Sequence, residues 1–544
     1  MTSDGFDFSP GAQVPITGSA GQTAATHALA SAAYRDSPVA TILDANSEWY
    51  KSEVTKGRFS LFEPNLGEAF ARAVQVRTLG GGRNALIQSF GMEPRTVAEH
   101  CLAANRIRRE RDLRLTIITV VCGVLFLPGL LFWMAVFQLR RTLAGAQNKS
   151  AGLGGILLLL AICGLALIVL IKLPLAGFWP NYLRAMLVVP VIGWFLARRV
   201  AESTAKDLRS RWDGLLSGGG IAAKVPDAVG RDELRDALNK LTAEQHANSA
   251  FYAGHKGILG MGTRWGSWSM AEEMVSKTPG KEINQFRSWD VARAIHDRLK
   301  LLERGPLNSG GFTPPQVKHW VISSVGAGAG SVSRPEGDVV ESFQVKSHEI
   351  QRICNHQQFG KGDRHYLGVQ FVLWDGQLVI TMMITVTVLH ETLRIEVTGH
   401  ALGPVHGLFM AKSSPKTVTV AKTVRFWETR TRNLPLIEAP EVVRLAVRAP
   451  LTWYPPLLDF LGGKLVLPEP FGLRHVWAEK PWGSRFMADD AMRAATPVLR
   501  AAHAAAMKIL DDNGVDIARF SSRSMAVSGA IQDPSLSKAD LYEI

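Results

Sequence analysis

The chain reads as a membrane-anchored α+β protein, with two to three transmembrane helices followed by a cytoplasmic domain built on an antiparallel β-meander with flanking helices. Three observations predict this. Residues 113–137 carry no charge after Arg114, and residues 153–171 carry none. At roughly 1.5 Å per residue, such runs approach the span of a hydrocarbon core of about 30 Å. Residues 366–389 alternate in polarity on either side of Asp375-Gly376, the pattern of a β-hairpin closed by a two-residue turn. Between and after these stretches, apolar residues recur at helical spacing.

From the N-terminus, residues 1–40 are rich in Ala, Ser, Gly and Thr and read as disordered. Their opening has early acids and no apolar run, unlike a secretory leader. Residues 41–112 form a small helical cytoplasmic cap. One helix covers 66–79, ahead of Gly80-Gly81-Gly82. A second starts after Pro94, with Val97, Cys101 and Leu102 on one stripe, and runs into the first span.

The membrane block covers 113–197. Its first span, 113–137, holds Pro128-Gly129, which membrane helices tolerate. Its second, 153–172, ends on Lys172, placed to reach the interface. A third segment, 180–197, is doubtful: Pro174, Pro180, Asn181 and Arg184 interrupt the stretch, and its continuous apolar core, 185–197, is short, with Trp179, Tyr182 and Trp194 suited to the head-group level. Arg106, Arg108, Arg109, Arg111 and Arg114 precede the block, and Arg198, Arg199, Lys206, Arg209 and Arg211 follow it. The positive-inside rule puts both flanks in the cytoplasm, which requires an even number of crossings and leaves the third segment re-entrant. Three full crossings are the alternative. Apolar segments without carboxylates argue against a proton- or cation-coupled transporter.

Residues 198–248 read as juxtamembrane helices and 249–520 as the soluble α+β domain. Within it, 286–302 is a helix and 319–325 a strand. Gly326 to Gly330 follow without a helix, which excludes a dinucleotide loop. Residues 339–345 read as a further strand, and 393–400 as the third strand of the meander. Residues 440–447 are helical. Residues 451–466, aromatic and broken by Pro455-Pro456, read as a folded-in loop, with a place on the bilayer surface as the alternative. A long Ala-rich helix covers 487–513, stopped by Asn513-Gly514, and the tail 521–544 reads as disordered.

The chain carries a net charge of +13. Much of that excess sits in the two flanks, where it sets topology and meets anionic lipid, so no nucleic-acid partner is expected. The four cysteines, Cys101, Cys122, Cys163 and Cys354, allow no disulfide framework in the C-terminal part. His348, Cys354 and His356 lack zinc-site spacing, and His400 and His406 lack an HExxH frame. No catalytic motif, metal site or cofactor site is read, and whether the protein is an enzyme stays open.

The unusual soluble stretch is 248–268, NSAFYAGHKGILGMGTRWGSW. Glycines this dense imply φ > 0 turns or close backbone approach. Its candidate ligand-binding residues are Tyr252, Gly254, His255, Gly260, Gly262, Arg264, Trp265 and Trp268, with His255 and Arg264 as polar contacts for an anionic ligand or lipid head group. A purely structural loop is the competing reading.

Two phrases resemble uncharacterised integral membrane proteins of high-GC actinobacteria. One is Tyr252, Gly254, Gly260, Gly262, Trp268 and Ser269, with Ile258-Leu259 where that group carries Pro-Phe. The other is Arg364, Tyr366, Trp374, Gly376, Leu393, Ile395 and Glu396. The resemblance implies a bacterial plasma membrane and a cytoplasmic mixed domain, and no activity. The expected function is therefore a binding or scaffolding module at the inner membrane face. A membrane enzyme acting through 248–268 is one alternative. An oligomeric channel or transport accessory, with close helix packing at Gly152, Gly154, Gly155 and Gly164, is the other.

Overall fold

A computed structural model describes residues 23–133 except 48 and 82, then 177–217, 232–304, 313–326 and 344–520 with short gaps, plus a few positions between 135 and 168. Helices are α1 (Ala24–Ala32), α2 (Leu66–Leu79), α3 (Pro94–Ile118), α4 (Phe178–Leu216), α5 (Asp232–Gln245), α6 (Ser288–Arg304), α7 (Ser347–His356), α8 (Ala439–Arg448), α9 (Pro455–Gly462) and α10 (Arg485–Asp512). The main sheet comprises β1 (Ser249–Tyr252), β2 (Thr263–Glu273), β3 (Gln316–Ser324), β4 (Arg364–Leu373), β5 (Leu378–Leu389) and β6 (Thr392–Leu402).

The six strands lie in the order β1-β3-β4-β5-β6-β2. β3 to β6 form an antiparallel meander, β2 adds antiparallel to β6, and β1 adds parallel to β3, so the sheet is mixed. Period-two alternation sorts its faces. Ile380, Met382, Ile384 and Val386 of β5 join Leu367, Val369 and Phe371 of β4 against Val291, Ile295 and Leu299 of α6 and the alanine stripe of α10. Thr381, Met383 and Thr385 face the other way. The turn at Asp375-Gly376 holds four residues, not two, because Leu373 pairs with Leu378. Trp374, Asp375 and Gly376 all take positive φ there.

A second layer covers the opposite face. Its core joins Tyr34, Phe70, Val97 and Ala104 from the N-terminal helices with Leu208 and Trp212 of α4, Leu238 and Leu241 of α5, and Phe409, Phe471 and Trp477 from the C-terminal part. Residues 24–40, expected to be disordered, are part of this core. Ala25, Ala28, Leu29 and Ala32 of α1 are all 0% exposed. Small side chains let that helix pack closely, and Thr23 caps it by accepting from the Thr26 amide.

The expected transmembrane helices are corrected by the structure. Among the described residues, no single helix is long and apolar enough to cross a membrane. The 113–137 stretch is divided: α3 passes through a π-helical turn, Thr119–Val124, and the chain then bends by 96° into a short helix, Leu127–Trp133. Pro128 lies in the first turn of the second helix and has no amide to continue the ladder of α3 across the break. The 180–197 segment is the first half of α4, whose hydropathy Asn181, Tyr182 and Arg184 lower and whose second half is charged. Most of 153–172, the expected extra strand over most of 339–345, the segment 1–22 and the tail 521–544 lie outside the described residues.

α3 and the first half of α4 pack antiparallel as a helical hairpin, and the short helix Leu127–Trp133 folds across α4 at its tip. Trp133 Nε1 donates to Leu187 O at 2.9 Å, and Tyr182 Oη donates to Leu125 O at 3.2 Å. Gly193 lies against the Cys122 side chain. At the hairpin base the flanking charges are not simply a solvated collar. Arg108 and Arg111 are buried, and Arg108 donates to Gly67 O and Ala33 O at 3.2 and 2.7 Å. Arg448 forms a bidentate pair with buried Glu68; burial alone would raise the Glu68 pKa, but Arg448 outweighs it and holds the carboxyl well below its ordinary range.

Arg474 ties the two layers together. It is 0% exposed, and its Nη2 donates to Gly376 O (2.9 Å), Gln377 O (3.1 Å) and Gly403 O (2.6 Å). Burial lowers its pKa to about 9, which still leaves it charged at neutral pH. Replacing it with Met strands those carbonyls, so Arg474→Met should lose about 1–3 kcal/mol in denaturant unfolding. A loss of only about 0.5 kcal/mol, the range of surface substitutions, would show that the tie is dispensable.

Candidate functional site

The glycine-rich stretch has a specific task. β1 and β2 are the two edge strands of the sheet, so residues 253–262 must travel across it, roughly 24 Å at the usual strand spacing. They do so on the face away from α6 and α10, where Ile258 and Met261 pack with Trp320, Val379 and Met383. Two glycines are required by contact as well as by dihedral angle. Gly260 (φ +89) would put a Cβ 2.7 Å from Gln88 O, and Gly262 (φ +81) one 2.1 Å from Ala401 O.

This strap borders an open cleft of about 1530 Å³. Its floor is the polar sheet face: Arg364 and Tyr366 from β4, Thr385 from β5, and Glu396, Thr398 and His400 from β6. Asn46, Ser47, Trp49, Tyr50 and residues 478–483 contribute the opposite wall. Residues 478–483 are held there by the helical layer: Glu479 N donates to Pro404 O at 2.8 Å and His406 N to Trp477 O at 2.9 Å.

The formally charged cleft residues include Lys256, Arg264, Arg364 and Lys480 against Glu396 and Glu479. Both carboxylates are engaged. Glu396 pairs with Arg394 at 3.0 Å, and Glu479 accepts from the Gly407 amide at 2.9 Å. Lys256 Nζ sits 5.2 Å from the Tyr50 ring centroid. Arg264 and Lys480 have no carboxylate partner among the described residues. Arg264 is opposite His400 in the β2–β6 register. Burial, helped by Arg264, holds the His400 pKa down to about 4, so its imidazole is neutral at pH 7. The chemistry on offer is an electropositive, hydrogen-bonding wall suited to a small anion or anionic head group.

The residues read from the sequence divide. Tyr252, Gly254, Gly262 and Arg264 line the cleft. His255 lies in the 3₁₀ turn Gly254–Lys256 of the strap. Gly260 meets the second layer rather than the cleft. Trp265 occupies a bulge between Arg264 and Gly266, covers Gly399, and meets Trp482 edge-on at 6.1 Å. Trp268 is buried on the other sheet face, in the core under α6 and α10, and so is a packing residue. Arg364, His400, Tyr50 and residues 478–483 were not among the sequence candidates. A signal existed for the first two, since Arg364, Glu396 and His400 share a face in any in-register meander. None existed for the opposite wall, which comes from segments distant in the chain.

Fold and cleft define an α+β domain whose polar sheet face, spanned by a glycine strap, is roofed by loops of a helical layer. Part of it has a family match: residues 267–535 match the family model of an AbeC-like domain. That region takes in most of β2, strands β3 to β6, and α6 to α10, and leaves out β1, the strap and the helical hairpin. No curated protein and no solved structure matches the chain.

Four buried histidines and the half-buried His319 set the pH response. Burial lowers His100, His319 and His400 to about 4, and His365 and His475 to about 3, from an ordinary 6.5. The unfolded chain takes up protons below 6.5 that the folded chain refuses. Stability is therefore full above about 6.5 and falls as pH drops toward 4. The melting temperature should decline through that window, and His400→Asn should flatten the decline by one proton's share. A melting temperature independent of pH between 7 and 4.5 would contradict these burials.

Proposed function

We propose that the protein is a binding module held at the cytoplasmic face of a bacterial plasma membrane, and that its cleft takes a small anionic ligand or head group. The observation that carries the ligand class is the surplus of cations among the described cleft residues, where Arg264 and Lys480 lack carboxylate partners while Glu396 and Glu479 are occupied. The membrane reading is supported by the helical hairpin, which presents Val121 (48%), Leu125 (60%), Leu131 (56%), Phe178 (74%), Trp179 (71%) and Phe195 (59%) to the outside. Large apolar side chains exposed in this number on one hairpin support an interaction surface. The resemblance to actinobacterial membrane proteins points the same way, as do the exposed Arg109 and Arg114 beside the hairpin, which suit anionic lipid.

Two measurements test this reading. Calorimetric titration of the full chain in mild detergent with pyrophosphate and with dihexanoyl phosphatidic acid separates a free anion from a head group. Arg264→Ala and Arg364→Ala should each weaken binding about tenfold or more, the loss of one charge-assisted hydrogen bond. Binding of neither probe, or binding indifferent to both variants, rejects the anion site. For the membrane, flotation with phosphatidylglycerol vesicles should recover the protein. Val121→Glu with Phe195→Glu should lower the bound fraction severalfold while the melting temperature holds, because both side chains are already exposed. Unchanged flotation would reject the hairpin as the contact.

A further inference from the structure

A second exposed apolar surface lies where the hairpin leaves the body. Its residues are Trp453 (60%), Tyr454 (63%), Leu457 (38%) and Phe460 (55%), beside Phe59 (57%) and Leu61 (40%). Residues 451–466 are thus not a loop folded into the core. α9 buries Leu458 and Gly462 inward and turns Leu457 and Phe460 outward. The surface is held firmly. Phe59 N donates to Leu461 O at 3.1 Å, Thr55 N to Lys464 O at 3.0 Å, and Lys464 N to Thr55 Oγ1 at 2.8 Å. Gly462 lies so close to Phe62 O that a Cβ would stand 2.0 Å away. Pro455 and Pro456 start α9 and fix its entry. Six large apolar side chains are therefore displayed outward by a braced scaffold, which is not how a fold disposes of spare hydrophobic residues.

Position identifies what covers them. The 3₁₀ turn Ala449–Trp453 and α8 pack on α3 at the hairpin base: Leu115 and Ile118 share a cluster with Leu445 and Ala449, and Thr119 Oγ1 donates to Ala446 O at 3.1 Å. The surface is thus continuous with the root of the hairpin. Its rim is basic. Arg58 Cζ sits 4.4 Å from the Phe460 ring centroid, and Lys56 and Lys464 are exposed beside it, with Glu53 the exposed acid among them. Trp and Tyr at one level, apolar side chains between them and cations at the margin are what the lipid–water interface selects.

We propose that this surface is an interfacial membrane contact that lies in the head-group region of an anionic bilayer and fixes how the soluble body stands on it. The inference rests on the membrane reading above. That reading supplies an anchor, and this surface supplies its orientation.

The test uses the full chain carrying Cys122→Ala and Cys163→Ala, since Cys101 and Cys354 are buried. Single cysteines are placed at Leu457 and Phe460, at Leu125 in the hairpin, and at Val76, which is exposed on α2 (68%). Each is labelled with an environment-sensitive fluorophore and mixed with vesicles of phosphatidylcholine and phosphatidylglycerol. Labels at 457 and 460 should shift to shorter wavelength and lose reactivity toward aqueous quencher severalfold, while 76 stays unchanged. If 125 shifts and neither 457 nor 460 does, the interfacial contact is wrong and the anchor stands. If none shifts, both are wrong. A shift at 457 and 460 without vesicles that grows with protein concentration assigns the surface to a second copy and overturns the proposal.

Discussion

Arg474 is the constraint on which the arrangement of layers depends. A guanidinium with no access to water must find acceptors, and this one finds three carbonyls in two loops at the same end of the sheet. The donations fix the β4–β5 turn relative to the residues after β6. They also fix the chain that follows. Trp477 then drives into the helical core against Phe70, Phe409 and Phe471, and residues 478–483 emerge as one wall of the cleft. A weaker, more adaptable donor would leave the wall free to drift against the floor. The electropositive cleft is therefore a product of long-range ties more than of any local motif.

The strap gives the other half of that geometry. A chain that must cross a sheet face from edge to edge cannot remain extended along a strand. It needs turns with positive φ and close passage over neighbouring backbone, and glycine answers both needs. The same crossing carries Tyr252 and Arg264 to the cleft at its two ends, while Trp268, a few residues further on, returns to period-two alternation and points into the opposite core. A cluster of glycines and aromatics in sequence is thus divided among three environments in space, and only part of it faces a ligand.

How much was legible follows the range of the forces involved. Local signals located α2 at its full length, Leu66–Leu79, the start of α3 at Pro94 and the paired strands β4 and β5. Those depend on periodicity, capping and breakers within a few residues. Residues 24–40 were misread because low-complexity Ala and Ser describe both a disordered tail and a tightly packed helix; only the partners Phe409 and Trp212, far along the chain, decide between them. The basic flank was half misread for the same reason. Arg108 and Arg111 are spent on internal carbonyls and the carboxylate of Asp112, and no count of charges reveals that. The edge positions of β1 and β2 were beyond reach, since the parallel partner of β1 and the antiparallel partner of β2 both lie far along the chain and neither pairing has a local mark.

The charge at the hairpin base carries a last consequence for how the two soluble parts meet. α3 leads away from the body and α4 returns to it, so residues before and after the hairpin lie on one side by construction and share one hydrophobic core. The Glu68–Arg448 pair, with Arg108 and Arg111 close by, sits at the point where both helices enter that core. Buried ions are costly to leave unpaired, which makes them poor general glue and strong determinants of register. Here the pair fixes α8 against α2, and with α8 comes the turn that carries Trp453 and Tyr454. The base of the hairpin and the aromatic surface are therefore braced through the same buried charge.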